Sequence, residues 1–321
     1  MSDPASTTPS GRDPSILVVG EALIDAVELG HGQVDEHVGG SPANVAFGLG
    51  TLGHDVALAT WIGMDDRGDR IAQRCSATGV RLADGSRRAE YTSVARATLD
   101  RRGQASYTFD LTWSVPHVSG GYGHVHTGSV AATIEPGGSQ VVQAIRSLAP
   151  TATVSYDPNM RPTLMASADL VRERVEELIA LADVVKASDE DLQWLYPGAF
   201  IPDVLRRWES FGPGVTVVTR GAEGALYAVR SSRATEVTTV PARAAHVVDT
   251  VGAGDSFMAG LLSGLADLGF IGGQHARQRL RAAGIDDLRA AVDRAMSTAG
   301  ATVARAGAYA PTREELARRR E

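Results

Sequence analysis

The chain has 321 residues, enough for one large domain or two small ones, and at that length folding hides about 75% of the surface an unfolded chain exposes. Hydrophobic residues make up 43% and charged residues 21%, ordinary proportions for a packed globule and wrong for a disordered chain. A net charge of −7 and a single cysteine, Cys75, argue against a nucleic-acid binder, a disulfide framework and a cysteine-held zinc site.

In chain order, residues 1–13 come first. They are rich in Ser, Thr, Pro and Gly and read as a disordered tail; they lack the basic start and apolar run of a secretory signal. Ile16–Val19, Val56–Thr60, Val125–Thr127, Val154–Tyr156, Val184–Val185 and Val215–Thr219 are short apolar runs, the pattern of strands buried on both faces of a parallel sheet. Helical patterns lie between them. Leu288, Ala291, Val292, Ala295, Met296 and Ala299 make one amphipathic stripe. The alternation predicts an α/β fold: a doubly wound, mostly parallel sheet with helices on both faces, running from residue 14 to 321.

Two segments break that rhythm. Val27–Val38 contains Gly30-His31-Gly32, and Tyr91–Trp113 alternates around Asp100-Arg101-Arg102-Gly103. Both read as β-hairpins, inserted at about 27–38 and 88–115, that form a small second sheet. A lid and a dimer clasp are the two functional readings. At the C-terminus, Glu314 stands four before Arg318 and Glu315 four before Arg319, the spacing of a solvated helix. The longest nearly apolar stretch, Ser256–Ala266, is far shorter than the roughly 20 residues a membrane span needs. A cytoplasmic protein without membrane or nucleic-acid partners is expected.

Several catalytic classes are excluded. Lys186 is the only lysine, and it lies between Val185 and Ala187, so no P-loop is present. The His-Arg-Asp and Asp-Phe-Gly of protein kinases are missing, as are HExxH and GxSxG. Gly48-Leu-Gly50-Thr-Leu-Gly53 matches GxGxxG, but it ends a helix instead of joining a strand to one, and Gly53 reads as a helix C′ residue. His124 and His126 share a strand face without a third ligand and read as core residues. Gly63-x-Asp65-x-x-Gly68 reads as a turn and cap.

Two motifs carry chemistry. Asp249-Thr-Val-Gly252-Ala-Gly254-Asp255 precedes Phe257, Met258, Leu261, Leu262 and Leu265 at helical spacing, so a helix begins near Gly254. Glycines at a helix start leave backbone N–H groups open to an anion, and the dipole adds to the attraction. An acid there is either an N-cap or a base that deprotonates a hydroxyl attacking a bound phosphate. In Gly39-Gly40-Ser41-Pro42-Ala43-Asn44, Ser41 reads as an N-cap and Pro42 as the first helical residue, while Asn44 offers a donor and an acceptor. Other polar residues fall just past predicted strand ends: Asp25; Asp157, Asn159 and Arg161; Lys186, Ser188 and Asp191; Thr219, Gly221 and Gly224. In open α/β sheets ligands bind at that edge.

With GGSPANVAFGLGTLG starting at Gly39 and DTVGAGDSFMAG starting at Asp249, the chain resembles the ribokinase-like, or PfkB, sugar kinases over about Ile16 to Thr312. Gly20-Glu-Ala-Leu-Ile-Asp25, Asp157-Pro-Asn-Met-Arg161 and Lys186-Ala-Ser-Asp-Glu-Asp191 look most like the fructokinase branch. The resemblance implies the doubly wound fold with a β-sheet lid and ATP-dependent phosphorylation of a sugar hydroxyl. It makes Asp255 the general base and the backbone of Gly252, Ala253, Gly254 and Asp255 the anion hole. Asp25, Gly39, Gly40 and Asn44 would hold the sugar, with Arg161 facing sugar or phosphates. Lys186, Ser188, Thr219, Gly221 and Gly224 would line the nucleotide site. Magnesium would travel with ATP, with Asp191 as its protein ligand. Asp249 and the carbonyls near Val251 and Gly307 match the region that binds a monovalent cation, such as K+, in many members. Ser188-x-x-Asp191 departs from the family's frequent Asn-x-x-Glu. Fructose is the expected substrate. Ribose, 2-keto-3-deoxygluconate and a nucleoside are alternatives, the last because Tyr107, Phe109 and Trp113 lie in the predicted lid. A non-catalytic sensor and a homodimer through the lid are further readings.

Overall fold

The computed structural model describes residues 15–30, 33–99, 105–230, 235–243 and 246–318. The predicted tail over residues 1–13 and the hairpin turns at 31–32 and 100–103 lie outside them.

β1 (Ile16–Val19) is buried along its whole length, as an Ile-Leu-Val-Val run requires when both sheet faces are covered. The chain then leaves for a hairpin, β2 (Leu23–Gly30) and β3 (Gln33–Gly39), and returns through α1 (Ser41–Thr51) to β4 (Val56–Ala59). α2 (Asp66–Ala77) leads to the edge strand β5 (Val80–Leu82), and a second excursion forms β6 (Val94–Leu99) and β7 (Ala105–Asp110). There follow β8 (His124–Gly128), α3 (Gly137–Leu148), β9 (Thr153–Asp157), α4 (Ala168–Leu181), β10 (Val184–Ser188), α5 (Asp189–Leu195), α6 (Ile201–Phe211) and β11 (Val215–Thr219). The hairpin β12 (Ala225–Arg230) and β13 (Thr235–Val240) ends the sheet, and α7 (Ala253–Asp267), α8 (Gln274–Ala282), α9 (Arg289–Thr302) and α10 (Arg313–Arg318) complete the chain.

The main sheet runs β13-β12-β11-β10-β9-β8-β1-β4-β5, parallel from β11 to β5, with the last hairpin antiparallel. Alternate residues of each strand serve opposite cores. Ile16 and Val18 pack toward Phe47, Phe257, Leu261 and Val292 of α1, α7 and α9. Leu17 and Val19 pack toward Val141, Ile145, Leu178 and Trp208 of α3, α4 and α6. The chain winds outward from β1 to β5 and then restarts at β8 on the other side of β1. The carboxyl ends of β1 and β8 therefore flank the switch point where open α/β sheets place ligands.

The predicted strands and the doubly wound sheet are all present, and the two insertions form a separate sheet in the order β3-β2-β6-β7. β12 and β13 are not anticipated: the edge strand β13, Thr235-Glu-Val-Thr-Thr-Val, lacks the apolar run of a central strand, while Ala225-Leu-Tyr-Ala-Val in β12 is apolar and mostly buried, a run the sequence reading passed over. His124 and His126 are fully buried between Thr153 and Ser155 at 2.8–2.9 Å, and burial pushes both imidazoles down to about 3. They are neutral core residues. Asp65 caps α2 by accepting the Gly68 N–H, and Gly53 follows the C-cap of α1 at φ 85. In α10 the Glu314–Arg318 pair forms, but Glu315 turns instead to Tyr309 and Arg305; Arg319 lies outside the described residues. Among the described residues no helix is long and apolar enough to cross a membrane.

α1 and α7 start at the same edge and approach closely. A Cβ built on Gly48 would stand 2.6 Å from the Cβ of Ala259. Gly48→Val should lower stability in urea unfolding by about 1–3 kcal/mol, the usual cost of overpacking, and Ala259→Gly in the same chain should recover part of it. Stability equal to the parent's would refute the close crossing.

Glu21 follows β1 and is buried, with Oε2 accepting the Ala131 N–H at 3.1 Å. Burial pushes its carboxyl up to about 7, against the pull of backbone and Ser129 hydrogen bonds. Between about pH 4.5 and 7 the folded chain holds a proton that the unfolded chain has released. Stability present in acid is therefore lost as pH rises through that window. Glu21→Gln should raise Tm by a few degrees at pH 8 and leave it unchanged at pH 4. An equal change at both pH values would contradict this origin.

Candidate active site

The site is built where α1 and α7 begin. α7 has Gly252 as its N-cap, in the left-handed region at φ 73, and Ala253 as its first helical residue. The Ala253 N–H donates to Thr250 O at 3.2 Å, while those of Gly254 and Asp255 face the helix end, where the dipole is positive. Asp255 is the third helical residue and makes no cap bond to its own helix. Its carboxylate instead crosses to α1. Oδ1 accepts the Ser41 hydroxyl at 2.7 Å, and Oδ2 accepts the Asn44 amide N–H at 2.8 Å.

That geometry corrects the reading of the first motif. Gly40, at φ 101, is the N-cap of α1, and Ser41 is its first helical residue. Ser41 does not cap. Its hydroxyl, 8% exposed, is committed to Asp255. Sequence reasoning placed Ser41 in the motif but missed this partner. The available signal was the glycine pair, which can cap a helix start through its backbone and so frees the serine.

Asp25, on β2, is open to the cleft, and Gly39 makes room for it: a Cβ on Gly39 would lie 1.9 Å from Asp25 Oδ2. Lost hydration pushes the Asp25 carboxyl up to about 6; Arg161 opposes the shift and the charge of Asp255 adds to it. Asp25, Gly39, Gly40, Asn44 and Asp255 thus share one region. Arg161 is exposed, and its Nη1 folds back onto Asn159 Oδ1 at 2.8 Å and Met160 O at 3.0 Å.

Beneath α7 lies an ion pair. Lys186 is 2% exposed, and its Nζ donates to Asp157 Oδ2 at 2.9 Å. A Cβ on Gly254 would be 3.0 Å from that Nζ, so the ammonium sits under the first turn of α7. Burial works against the lysine's charge, but Asp157, Asp191 and Asp255 outweigh it and hold the group protonated. The lysine placed at the nucleotide site by the sequence therefore stands in a buried pair behind the helix start.

The Ser188-x-x-Asp191 signature is a capping box. Ser188 Oγ accepts the Asp191 N–H at 3.0 Å, and Asp191 Oδ2 accepts the Ser188 N–H at 2.7 Å. Asp191 Oδ1 also accepts the Met160 N–H at 2.7 Å, tying the loop after β9 to α5. Asp191, expected as a metal ligand, is buried and makes this tie.

Asp249 joins two segments around the α7 start. It accepts the Val251 N–H at 3.0 Å and the Gly307 N–H at 2.7 Å, and these bonds hold its carboxyl below the usual range. Thr219 ends β11 opposite Ser188, donating to Ala187 O at 3.3 Å, and Gly221 and Gly224 turn the chain beyond it at φ 49 and 85. Under the small sheet, Glu21, Trp61, Leu111, Trp113, Ala131 and Ile134 line a narrow cleft. Trp113 is buried, donates to Ala131 O at 2.8 Å and packs over Gly137, so it is not a free face for a nucleobase. The side chains of Tyr107 and Phe109 lie outside the description.

Among the described residues no group of three His, Cys, Asp or Glu could hold a metal ion. The donors fit a magnesium carried on nucleotide phosphates better than a protein-built cage.

Comparison with known proteins agrees with this geometry. Residues 13–315 match the pfkB family carbohydrate kinase profile. The chain is 33% identical over 267 residues to a fructokinase from Klebsiella pneumoniae, covering 78% of this chain and 84% of that protein. It is 31% identical over 263 residues to a fructokinase from Rhizobium leguminosarum bv. trifolii, covering 78% and 79%. Among solved structures, a double mutant of Vibrio cholerae O395 fructokinase with fructose, ADP and potassium ion bound superposes with a TM-score of 0.78 at 27% identity, covering 96% of this chain and 99% of that one. An anion-ready helix start with a carboxylate at its third position, a doubly wound sheet and a profile spanning nearly the whole chain make this protein an ATP-dependent sugar kinase of the pfkB family.

Proposed function

We propose that this kinase phosphorylates fructose at a primary hydroxyl, with Asp255 as the general base. The observation that carries the role of Asp255 is its placement. The carboxylate stands at the third position of α7 yet is turned off the helix end, toward the side where Asp25 and Asn44 converge.

The chemistry follows from those positions. Asp25 accepts from sugar hydroxyls, and Asn44 retains a second N–H and its carbonyl for the sugar while bonded to Asp255. An Asp255 oxygen takes the proton of the attacking hydroxyl as the new O–P bond forms and the bond to the ADP oxygen breaks. The N–H groups of Gly252 to Asp255 and the Lys186 ammonium beneath them stabilise the charge on the transferring phosphoryl group. Magnesium on the nucleotide would neutralise phosphate charge. A monovalent cation would lie against Asp249 with the carbonyls near Val251 and Gly307, where the ionised carboxylate favours it. Thr219, Gly221 and Gly224 line the nucleotide side. The small sheet serves as a lid that excludes water, because water competes with the sugar hydroxyl for the phosphoryl group.

Support for fructose comes from the curated relatives and from the fructose-bound neighbour. The acceptor-rich set of Asp25 and Asn44 suits a neutral polyol. ADP production should be greatest with fructose in a panel that includes ribose, 2-keto-3-deoxygluconate and nucleosides. Greater turnover with any of the others would reassign the substrate and leave the kinase intact.

Two further outcomes are expected. Asp255→Asn should cut phosphoryl transfer by at least about 10²-fold, while titration calorimetry shows fructose and ATP binding largely kept. Near-normal turnover would remove Asp255 from its role. Because the Asp25 carboxyl is raised to about 6, it is ionised at pH 7.5 and gains a proton as pH falls through 6. The fructose KM should therefore rise between pH 7 and 5, and Asp25→Asn should have a raised KM that no longer varies over that range. A pH-independent KM in the parent would disconnect Asp25 from the sugar.

A further inference from the structure

We infer that Ser41 is a positioning residue for the catalytic base: its hydroxyl holds the Asp255 carboxylate out of the anion hole that the same helix forms. The inference rests on Asp255 acting as the base. An aspartate at the third position of a helix has a competing place to go. Its carboxylate is an anion one turn from a positive helix end, and acids there ordinarily turn toward the free N–H groups. The Lys186 ammonium, under Gly254, adds to that attraction. An Asp255 that yielded would fill the phosphoryl site with its own charge and point no lone pair at the acceptor hydroxyl.

The structure opposes this with two donors from α1. Asn44 holds Oδ2, but it is half-buried and expected to share its amide with the sugar. Ser41 is different. It is buried, its hydroxyl makes a 2.7 Å bond to Oδ1, and it gives its own helix no cap bond. The close crossing at Gly48 and Ala259 keeps the two helix starts within reach of each other. Ser41 therefore holds the base in its working rotamer whether or not sugar is bound.

A buried residue that acts only through the base should alter turnover and leave binding alone. With fructose, or whichever panel sugar gives the greatest ADP production, Ser41→Ala should lower kcat about ten- to thirtyfold with both KM values nearly unchanged. Ser41→Cys keeps the size and supplies a poor donor, so it should fall alongside the alanine variant. Ser41→Thr restores a hydroxyl and should recover much of the rate. A kcat unchanged in Ser41→Ala, a loss confined to KM, or a cysteine variant as fast as the parent would overturn the inference. A second measurement needs no activity. In urea unfolding, Ser41→Ala, which removes the donor, and Asp255→Ala, which removes the acceptor, should have non-additive effects, and strict additivity would show that the bond is absent. If no sugar supports ADP formation, the substrate reading fails on its own, while this cycle still decides whether Ser41 holds the carboxylate.

Discussion

Everything at the working edge depends on keeping a carboxylate within one turn of a positive helix start without letting it occupy that start. Charge attraction favours collapse of the two. The fold resists by bringing a second helix start alongside, so that Asp255 finds its donors on α1 and not on α7. Close approach at Gly48 and Ala259 makes the reach short enough for a serine. The glycines before Ser41 have a related consequence: with Gly40 as the N-cap, the serine hydroxyl is free to look outward.

A second constraint lies under the same helix. The sheet face below α7 carries His124, His126, Ser155, Asp157 and Lys186 beside its apolar residues Ile16 and Val18. Burying a charge there costs several kcal/mol, so it persists only with a partner, and Asp157 supplies one. The histidines solve the problem differently, by remaining neutral and bonding to hydroxyls. Replacing the pair by aliphatic residues would be a sound way to stabilise this core, which points to an electrostatic reason for the lysine. A fixed positive charge behind the N–H groups strengthens the field at the α7 start and needs no rearrangement when phosphoryl charge develops.

The architecture was largely legible, because buried parallel strands are continuous apolar runs and the inserted hairpins interrupt them visibly. The antiparallel edge strand β13 was not, since an exposed edge strand carries no such run, and its apolar partner β12 was passed over. The site was legible as a set of polar residues at strand ends, but their pairings were not. Ser188 and Asp191 look like ligands in the sequence, yet the three-residue spacing that marks a capping box was present all along. Nor does the sequence tell that Lys186 pairs with Asp157 under Gly254. Asp255 and Ser41 are separated by more than two hundred residues, and no local pattern records that two helix starts meet.

The small sheet ties these parts to substrate. Asp25 lies on β2, so in the proposed reaction one carboxylate facing the sugar would belong to the small sheet, while Asn44 and Asp255 belong to the body. The base of the lid is held firmly. Asp65 accepts both the Thr92 N–H and its hydroxyl, and Gly63 donates to the same hydroxyl. Farther out, Glu36 on β3 pairs with Arg67 and Arg70 of α2. Those outer pairs are partly exposed, and such pairs contribute little each, so they set a resting position without opposing movement. In the proposed reaction a sugar bridging Asp25 to Asn44 would link the small sheet to the body through its own hydroxyls. Closure would then bring the Asp25 charge nearer Asp255, a repulsion that the bound hydroxyls and Arg161 would offset. Without those hydroxyls the same repulsion would disfavour a closed lid, which under the proposal limits the loss of ATP to water.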